Sequence, residues 1–586
     1  MQELQQLAAL FAQGRPDLAG ESARELLKSF PEHGLVWKAL GMAAQQTGQP
    51  GEAVAALRKA VTFLPEDADS FYNLGLLFMG MKKPHEAEEA FRAVLRIDPG
   101  AADALNNLGV LLGERKALDE AAAALREAVR VDPGYAEAYN NLGLVLTKQK
   151  HHPEAEAAFR EALRLRPAWR DAYTHLGVLL KEQKRYPEAE AAYREALRID
   201  PAHADTHANL GLLLDKTLRD NEAEAALREA IRLAPDAPGA YVRLGNFWQR
   251  RQRMAEAEAI LLEALRYHPG DAEAMFSLGL VYLMQGRYTE GWRCYEYRYH
   301  PERDEPITVP DGLQAPQWGR EELNGLSLLV LREQGFGDEI QFCRFFPLLL
   351  ARGARRVIYV CRQPLRAWFS TLPGVELVGS VAEAAGYDRW TFLMSLPGQL
   401  GITLANLPAG LPCLGTLPER DAFWRRRLPA GSFRVGLVWK GATGHANDAN
   451  RSLPGLEVLA PLWGVAGVTF ISLQKGAGEE EAASPPAGQP LYNAGAGIRD
   501  FADTASILKQ LDLVIGVDTT VIHACGALGK ACLVLLPAIG SDWRWLSERQ
   551  ESPWYPGVMR LVRQERPGEW SGAVAEAARE LARRTA

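Results

Sequence analysis

The sequence predicts a helical repeat array followed by an α/β region with two lobes, each built on a parallel sheet. The first observation is a strict 34-residue period across the first half of the chain. The second is that short apolar runs alternate with helical segments from Leu326 onward. The third is residues 512–537, DLVIGVDTTVIHACGALGKACLVLLP, which read as strand, helix and strand with small polar residues where the strand turns into the helix.

Composition excludes several classes of protein. The net charge of −7 over 586 residues argues against a nucleic-acid partner, which would need a basic face. Six scattered cysteines without a Cys-x-x-Cys pair favour reduced thiols over a disulfide framework or a zinc site. No apolar run is long enough to span a membrane. We therefore expect a soluble cytoplasmic protein of two to four domains.

The repeat period is carried by three residue types. Leu-Gly pairs, prolines and small residues each recur every 34 positions. The pairs begin at Leu40, Leu74, Leu108, Leu142, Leu176, Leu210, Leu244 and Leu278, the prolines run from Pro31 to Pro269, and the small residues run from Ala53 to Gly291.

This pattern resembles the tetratricopeptide repeat, a pair of helices that stacks on its neighbours into a solenoid. Small residues allow the two helices to approach closely, and proline ends the second helix. We expect about eight to nine repeats over residues 1–300, the first of them degenerate. The last repeat carries Trp292, Tyr295, Tyr297 and Tyr299, an aromatic group predicted to dock the array onto the C-terminal half of the chain.

A row of asparagines precedes the repeated leucines. Asn73, Asn107, Asn141 and Asn209 occupy equivalent positions in four repeats. An amide that both donates and accepts hydrogen bonds can hold an extended peptide backbone, so these residues are candidate acceptor-binding groups. The alternative is that each Asn only serves packing between helices.

The rest of the chain divides into a linker and two lobes. We predict a linker at residues 301–325, a first lobe at 326–425, and a second lobe at 432–586 that ends in a closing helix at 573–584, which could brace the first lobe. Predicted strands are 326–331, 356–361, 375–378, 390–396, 434–439, 468–473, 513–517 and 531–536. Predicted helices are 339–352, 365–371, 455–463, 503–511 and 521–528, and residues 407–432 show no clear strand.

Two segments carry a second resemblance. GFGDEIQFCRFFPLLLARGARRVIYVC (residues 335–361) is similar to the opening of bacterial heptosyltransferase-type glycosyltransferases, and DTTVIHACGALGKACLVLLP to their second-lobe signature. The joining of repeats to such a domain resembles bacterial repeat-containing glycosyltransferases. The resemblance implies two Rossmann-like lobes in a GT-B fold, a nucleotide-sugar donor as substrate, a protein acceptor and no cofactor.

Asp338 is the candidate catalytic base. Inverting glycosyl transfer needs a carboxylate to take the proton of the attacking hydroxyl, and the resemblance assigns that role to Asp338. Gly335 and Gly337 would let the backbone bring it into the cleft. Asp338 could instead be an ordinary helix N-cap, and the neighbouring Glu339 is an alternative base.

The donor's diphosphate needs positive charge and N–H donors. Thr519 and Thr520 open a predicted helix, whose N-terminus favours phosphate. Lys440 and Arg451 are candidate cations, although a lysine at a strand end is often only solvated. His445 could contact phosphate or acceptor, though lone loop histidines usually do neither. Asp518 is expected to orient the loop through N–H bonds, and His523 is either a donor contact, as the resemblance implies, or a buried core histidine.

Ribose and base contacts are assigned by position in the fold. Gln474 follows a predicted strand and Asp503 opens a predicted helix. No Asp-x-Asp pair follows a suitable strand, so no essential metal is expected. Residues 541–556 are rich in Trp and Tyr, which could stack on sugar, close the cleft or pack between the lobes.

The sequence therefore predicts a metal-independent glycosyltransferase that recruits a protein acceptor through its repeats. A non-catalytic adaptor with a degenerate transferase domain is the alternative of a different class. A third possibility is a glycan- or lipid-directed transferase that uses the repeats as a scaffold.

Overall fold

The computed structural model describes residues 2–408, 410–431 and 433–586. The chain divides into two compact units, Met1–Leu233 and Ala234–Ala586. Each unit has its own architecture. The predicted borders of linker and lobes stay predictions.

The first unit consists of helices that pack in consecutive pairs. In each pair after the first, a helix glycine faces a large side chain of the next helix. A Cβ on Gly75 would lie 2.6 Å from the ring of Phe91, so glycine sets the spacing. The predicted prolines lie two residues beyond each second helix, as Pro65 does beyond Phe63. The described helices are α1 (Gln2–Ala12), α2 (Pro16–Ser29), α3 (Gly34–Gln46), α4 (Pro50–Phe63), α5 (Ala68–Gly80), α6 (Pro84–Ile97), α7 (Ala102–Glu114), α8 (Leu118–Val131), α9 (Ala136–Lys148), α10 (His152–Leu165), α11 (Arg170–Glu182), α12 (Tyr186–Ile199), α13 (Ala204–Lys216) and α14 (Asp220–Leu233).

The second unit begins with four more helices of the same kind, α15 (Pro238–Arg250), α16 (Met254–Tyr267), α17 (Ala272–Met284) and α18 (Tyr288–Tyr295). The predicted docking through aromatic residues is confirmed. The ring centroid of Trp292 lies 5.3 Å from that of Trp543, and Tyr299 lies 5.6 Å from Phe392. The Trp292 indole donates to the carbonyl of Ile402 over 3.0 Å. The last repeat is thus part of the core of this unit.

The first sheet has four parallel strands in the order β3-β2-β1-β4. The predicted linker pairs with the edge strand that contains Trp390, because the backbone N–H of Trp318 donates to the Trp390 carbonyl over 2.7 Å. The elements are β1 (Ser327–Leu331), α19 (Phe336–Phe342), α20 (Phe346–Ala351), β2 (Arg356–Val360), α21 (Gln363–Phe369), β3 (Val375–Val378), β4 (Arg389–Phe392) and α22 (Leu396–Gln399).

The second sheet has six parallel strands in the order β10-β9-β8-β5-β6-β7. Its core contains Val435, Leu513 and Leu533, and the final helix α28 buries Ala577 and Leu581 against it, not against the first sheet as predicted. The elements are α23 (Pro418–Arg425), β5 (Phe433–Val438), α24 (Asp448–Arg451), β6 (Val468–Ser472), α25 (Glu479–Ala483), β7 (Tyr492–Asn493), α26 (Phe501–Lys509), β8 (Leu513–Val517), α27 (Thr520–Ala527), β9 (Cys532–Leu536), β10 (Met559–Arg563) and α28 (Ser571–Thr585).

Several predicted elements differ from the structure. The predicted helix 339–352 starts earlier, at Phe336, and is interrupted by a 3-10 turn before Pro347. The predicted helix 455–463 is a 3-10 helix, Leu456–Gly464, that contains Pro461, which cannot donate a backbone N–H. The predicted strand 390–396 ends at Phe392. The segment 407–432 contains helix α23, and strands β7 and β10 were not predicted.

Candidate active site

A cavity of about 860 Å³ lies where the carboxyl ends of strands from both sheets meet. Its volume is in the range of small-molecule sites. Loops after β1, β5, β6, β8 and β9 contribute to its walls, together with the start of α26. In parallel sheets this edge is where ligands bind, so the cavity is the candidate active site.

Asp338 lines this cavity as the third residue of α19. One carboxylate oxygen, Oδ2, accepts the Gly335 N–H over 2.8 Å, and the other accepts a hydrogen bond from Nη2 of Arg544. Gly335 holds the N-cap position, and Asp338, three residues later, accepts its N–H as in a capping box, so the alternative of a helix-capping role is present in this form. Burial raises the pKa of Asp338 above its usual range, and the positive charge of Arg544 opposes that rise.

Gly337 brings α19 close to the second sheet's loops. A Cβ at this position would lie 2.7 Å from Cδ2 of His523, which is shorter than a normal van der Waals contact. Gly335 has a φ of −91° and adopts ordinary extended backbone. Glycine is therefore needed at Gly337, as predicted, because the His523 ring lies too close for a side chain there.

Glu339 is directed away from the cavity. Its side chain is buried, accepts a hydrogen bond from the Tyr359 hydroxyl and pairs with Arg362 at 2.9 Å. Burial raises the pKa of this carboxyl. Because Glu339 is not among the residues that line the cavity, the geometry favours Asp338 over it.

Helix α27 points its N-terminus into the cavity. Thr519 is the N-cap residue and Thr520 is the first helical residue, and both line the cavity. The Thr519 hydroxyl makes no cap hydrogen bond, and its buried oxygen lacks a partner among the described residues. A buried polar atom without a partner costs free energy. The helix N-terminus thus offers a ligand unused donors.

Asp518 precedes this helix and His523 lies within it, and Oδ1 of Asp518 is 3.8 Å from Nε2 of His523. Asp518 accepts the indole N–H of Trp545 over 2.9 Å, so the N–H it binds belongs to a side chain and not to its own loop. Nδ1 of His523 lies 3.1 Å from the Tyr555 hydroxyl, and its ring stacks on Trp545. Burial raises the pKa of Asp518 to about 6 and lowers the pKa of His523 to about 3. The imidazole is therefore neutral at pH 7.

The predicted cations both line the cavity. Lys440 forms an ion pair with Glu481, so it is not simply solvated. Nε of Arg451 lies 3.5 Å from Asp448 and makes no hydrogen bond to the described residues. His445 also lines the cavity, and burial lowers its pKa. Of these side chains, Arg451 has the weaker protein partner and the clearer capacity to bind an anion.

Two predicted ribose contacts have other roles in the structure. The Gln474 amide accepts the N–H groups of Trp439 and Lys440 and donates to the carbonyls of Lys440 and Ala477. It therefore shapes the cavity wall with its hydrogen bonds already used. Asp503 is buried outside the cavity lining, where it accepts hydrogen bonds from Arg420, Trp424 and Arg499.

The asparagine row forms hydrogen bonds within the repeats. Asn73 donates to the carbonyl of Asp69 over 2.8 Å. Asn107 donates to the Tyr72 hydroxyl over 3.1 Å, and Asn141 donates to Asn106 over 2.9 Å. Asn209 also has a partner. Packing between repeats therefore accounts for Asn107 and Asn141, and peptide binding by the row stays a prediction.

Arg544 and Asp542 are cavity residues that the motifs did not reveal. They lie after β9, in the segment singled out only for its aromatic residues. An Asp-Trp-Arg sequence shortly after a parallel strand was the available signal.

The described residues contain no cluster of three or more His, Cys, Asp or Glu side chains arranged to hold a metal ion. Nor do they include a helix with the length and apolar character needed to cross a membrane.

Comparison with known proteins identifies the helical half of the chain. The tetratricopeptide repeat profile matches residues 4–69, 72–136, 118–168, 140–204, 209–265 and 249–291. Residues 4–291 are tetratricopeptide repeats. The first resemblance is thereby confirmed, and arrays of these repeats indicate protein–protein interaction.

The chain is also similar to Protein FlbA of Caulobacter vibrioides, with 30% identity over 335 residues. The match covers 52% of this chain and 55% of FlbA, so the chain spans about half the length of this relative.

Similar solved structures include MamA, with 24% identity and a TM-score of 0.28 over 29% of this chain and 94% of MamA. YrrB, a TPR protein, has 22% identity and a TM-score of 0.27 over 33% of this chain and 98% of YrrB. The Cut9–Hcn1 hetero-tetramer of the APC/C has 19% identity and a TM-score of 0.36 over 48% of this chain and 55% of that one.

Proposed function

We propose that the chain is a glycosyltransferase that moves a sugar from a nucleotide donor to a protein bound by its repeats. One observation carries the proposal. A helix N-terminus with an unused Thr519 hydroxyl and a partly buried carboxylate, Asp338, line the same cavity at the carboxyl ends of strands from both parallel sheets. The fold that accompanies this proposal is GT-B, with one sheet in each lobe.

The diphosphate of the donor would bind at the start of α27. A helix N-terminus carries about half a positive elementary charge, and Thr519 adds a hydroxyl donor. Arg451 supplies a guanidinium that can bind two phosphate oxygens at once. These groups would stabilise the negative charge that grows on the leaving nucleotide diphosphate.

Asp338 would act on the acceptor. As the acceptor hydroxyl oxygen bonds to the anomeric carbon, the bond from that carbon to the donor phosphate breaks and its electron pair leaves with the nucleotide diphosphate. The hydroxyl proton passes to Asp338. A carboxylate must be ionised to accept it, so the rate falls as the pH drops through the pKa of Asp338.

The repeats would select the acceptor, since tetratricopeptide repeats bind proteins. The six cysteines are free thiols, which fits the reducing cytoplasm where we place the reaction.

A non-catalytic adaptor is the second candidate, because both oxygens of Asp338 already accept hydrogen bonds. Such an adaptor has no use for a nucleotide.

Nucleotide binding separates the two candidates. We expect one of UDP, GDP, ADP or CMP to raise the melting temperature and to bind measurably by calorimetry. R451Q and T519V should each weaken that binding, R451Q by about tenfold or more, since hydrogen bonds to charged groups contribute about 1.5–3 kcal/mol.

R356Q is the matched control, because Arg356 pairs with the exposed Glu376 and does not line the cavity. No binding of any of the four nucleotides would support the adaptor. Binding equal to wild type in R451Q and T519V would contradict the proposed diphosphate site.

A further inference from the structure

The guanidinium of Arg544 is buried between the two sheets' loops. Its Nη2 donates to Oδ1 of Asp338 and its Nη1 to Oδ1 of Asp542, the latter over 2.9 Å. Its Nε donates to the side-chain oxygen of Gln341. Arg544 is only 4% exposed. One side chain from the loop after β9 therefore binds two residues of α19 in the first lobe.

Arg544 is itself held rigidly by its neighbours. Asp542 accepts the backbone N–H of Arg544 over 2.9 Å, which fixes the turn. The guanidinium carbon lies 4.3 Å from the ring centroid of Trp543. Trp543 in turn packs edge-on against Trp292 of the last repeat and Trp554. A planar guanidinium packed in this way loses little further freedom when it binds a carboxylate.

The pairing matters because Asp338 is partly buried, with its side chain 16% exposed. Burial disfavours a charged carboxylate, and a nearby opposite charge favours it. The charged or titratable groups that act on Asp338 or feel its charge are Arg544, Asp542, Glu339, Tyr295 and His445. Arg544 is the cation in direct contact with it. The Gly335 N–H donates to the second carboxylate oxygen of Asp338, so the carboxylate is held in one orientation.

We propose that Arg544 is a positioning residue that keeps Asp338 ionised and oriented for proton transfer. This inference rests on the proposed function, in which Asp338 is the base. Arg544 acts through Asp338 and needs no contact with the donor.

The pH dependence of transfer tests the proposal. Asp338 must be ionised, so kcat/KM falls on the acid side of the profile. R544M should move that acid limb to higher pH by about one to three pH units, the range by which a neighbouring cation shifts a carboxyl. R544K should give a smaller shift, because it keeps the charge without the planar fork.

R344M is the matched control. Arg344 is equally buried, but it donates to the carbonyls of Gln341 and Trp554 and not to Asp338. It should lose stability and keep the acid limb of wild type. An acid limb that does not move in R544M or R544K would overturn the proposal.

A second measurement works without turnover. D338N should lower the melting temperature more in the wild-type background than in the R544M background, because R544M has already left the carboxylate unpaired. Additive effects would also overturn the proposal. If R544M does not fold, R544K replaces it in the same double-mutant cycle with D338N. If wild type transfers no sugar at all, the proposed function fails, whereas this cycle still decides the pairing.

Discussion

Gly337 is a residue at which helices α19 and α27 approach closely beside the cavity. A Cβ there would lie 2.7 Å from the His523 ring, which is itself fixed by Trp545 and Tyr555. We predict that G337A lowers the free energy of unfolding by about 1–3 kcal/mol, the usual cost of overpacking. It should also weaken nucleotide binding, since α19 must move. Denaturation and calorimetry measure the two effects.

Gly444 provides the control for this substitution. It lines the same cavity, but a Cβ there has no neighbour within 4 Å. G444A should leave stability close to wild type. Equal losses in G337A and G444A would contradict the role of close approach.

At this scale the sequence predicted which loops form the site better than which side chains face it. Asp338, Thr519 and Arg451 follow strands or open helices, and all line the cavity. Asp503 opens a helix too, but Arg420 and Trp424, about eighty positions earlier, bury it. Such long-range partners leave no local pattern, and neither does the pairing of Arg544 with Asp338.

Among the elements, the paired repeat helices depend for their close packing on the glycine of each Leu-Gly pair. A Cβ on Gly177 in α11 would lie 2.6 Å from Cε1 of Tyr193 in α12. We predict that G177A destabilises the repeats by about 1–3 kcal/mol despite the better helix propensity of alanine. Scanning calorimetry, with hydrogen exchange to locate the loss in α11 and α12, measures it.

Gly80 in α5 provides the contrast, because a Cβ there meets nothing within 4 Å. G80A should be neutral or stabilise by up to about 1 kcal/mol. If G80A and G177A behave alike, the glycines do not set the helix spacing.

Buried elements were the predictable ones. The apolar run of β8 gave its bounds to the residue, because a strand buried on both faces is continuously apolar. Strand β10, Met559-Arg-Leu-Val-Arg, was missed because arginines interrupt its apolar residues. The 3-10 helix 456–464 has a helical apolar pattern, and only Pro461 marks its different hydrogen bonding.

At the scale of the whole molecule, an array of tetratricopeptide repeats precedes the α/β region that contains the cavity, and we propose that this cavity binds a nucleotide sugar. Within residues 234–586 the last repeat is continuous with the site. Trp292 packs on Trp543, and the Tyr295 hydroxyl accepts a hydrogen bond from Gln334, which lines the cavity. The sequence predicted the aromatic contact from the bulky residues of that helix, but not its partners in the loop after β9.

The most direct test is to follow sugar transfer by intact-mass spectrometry. Wild type and D338N would be incubated with a protein acceptor captured by the full chain and with nucleotide sugars of the base that binds. We predict that wild type adds the mass of one glycosyl residue and that D338N, which still binds the nucleotide, transfers at least about a hundredfold more slowly, as expected for loss of a general base. Equal transfer by D338N, or none by wild type with any donor of the bound nucleotide, would contradict the proposed mechanism.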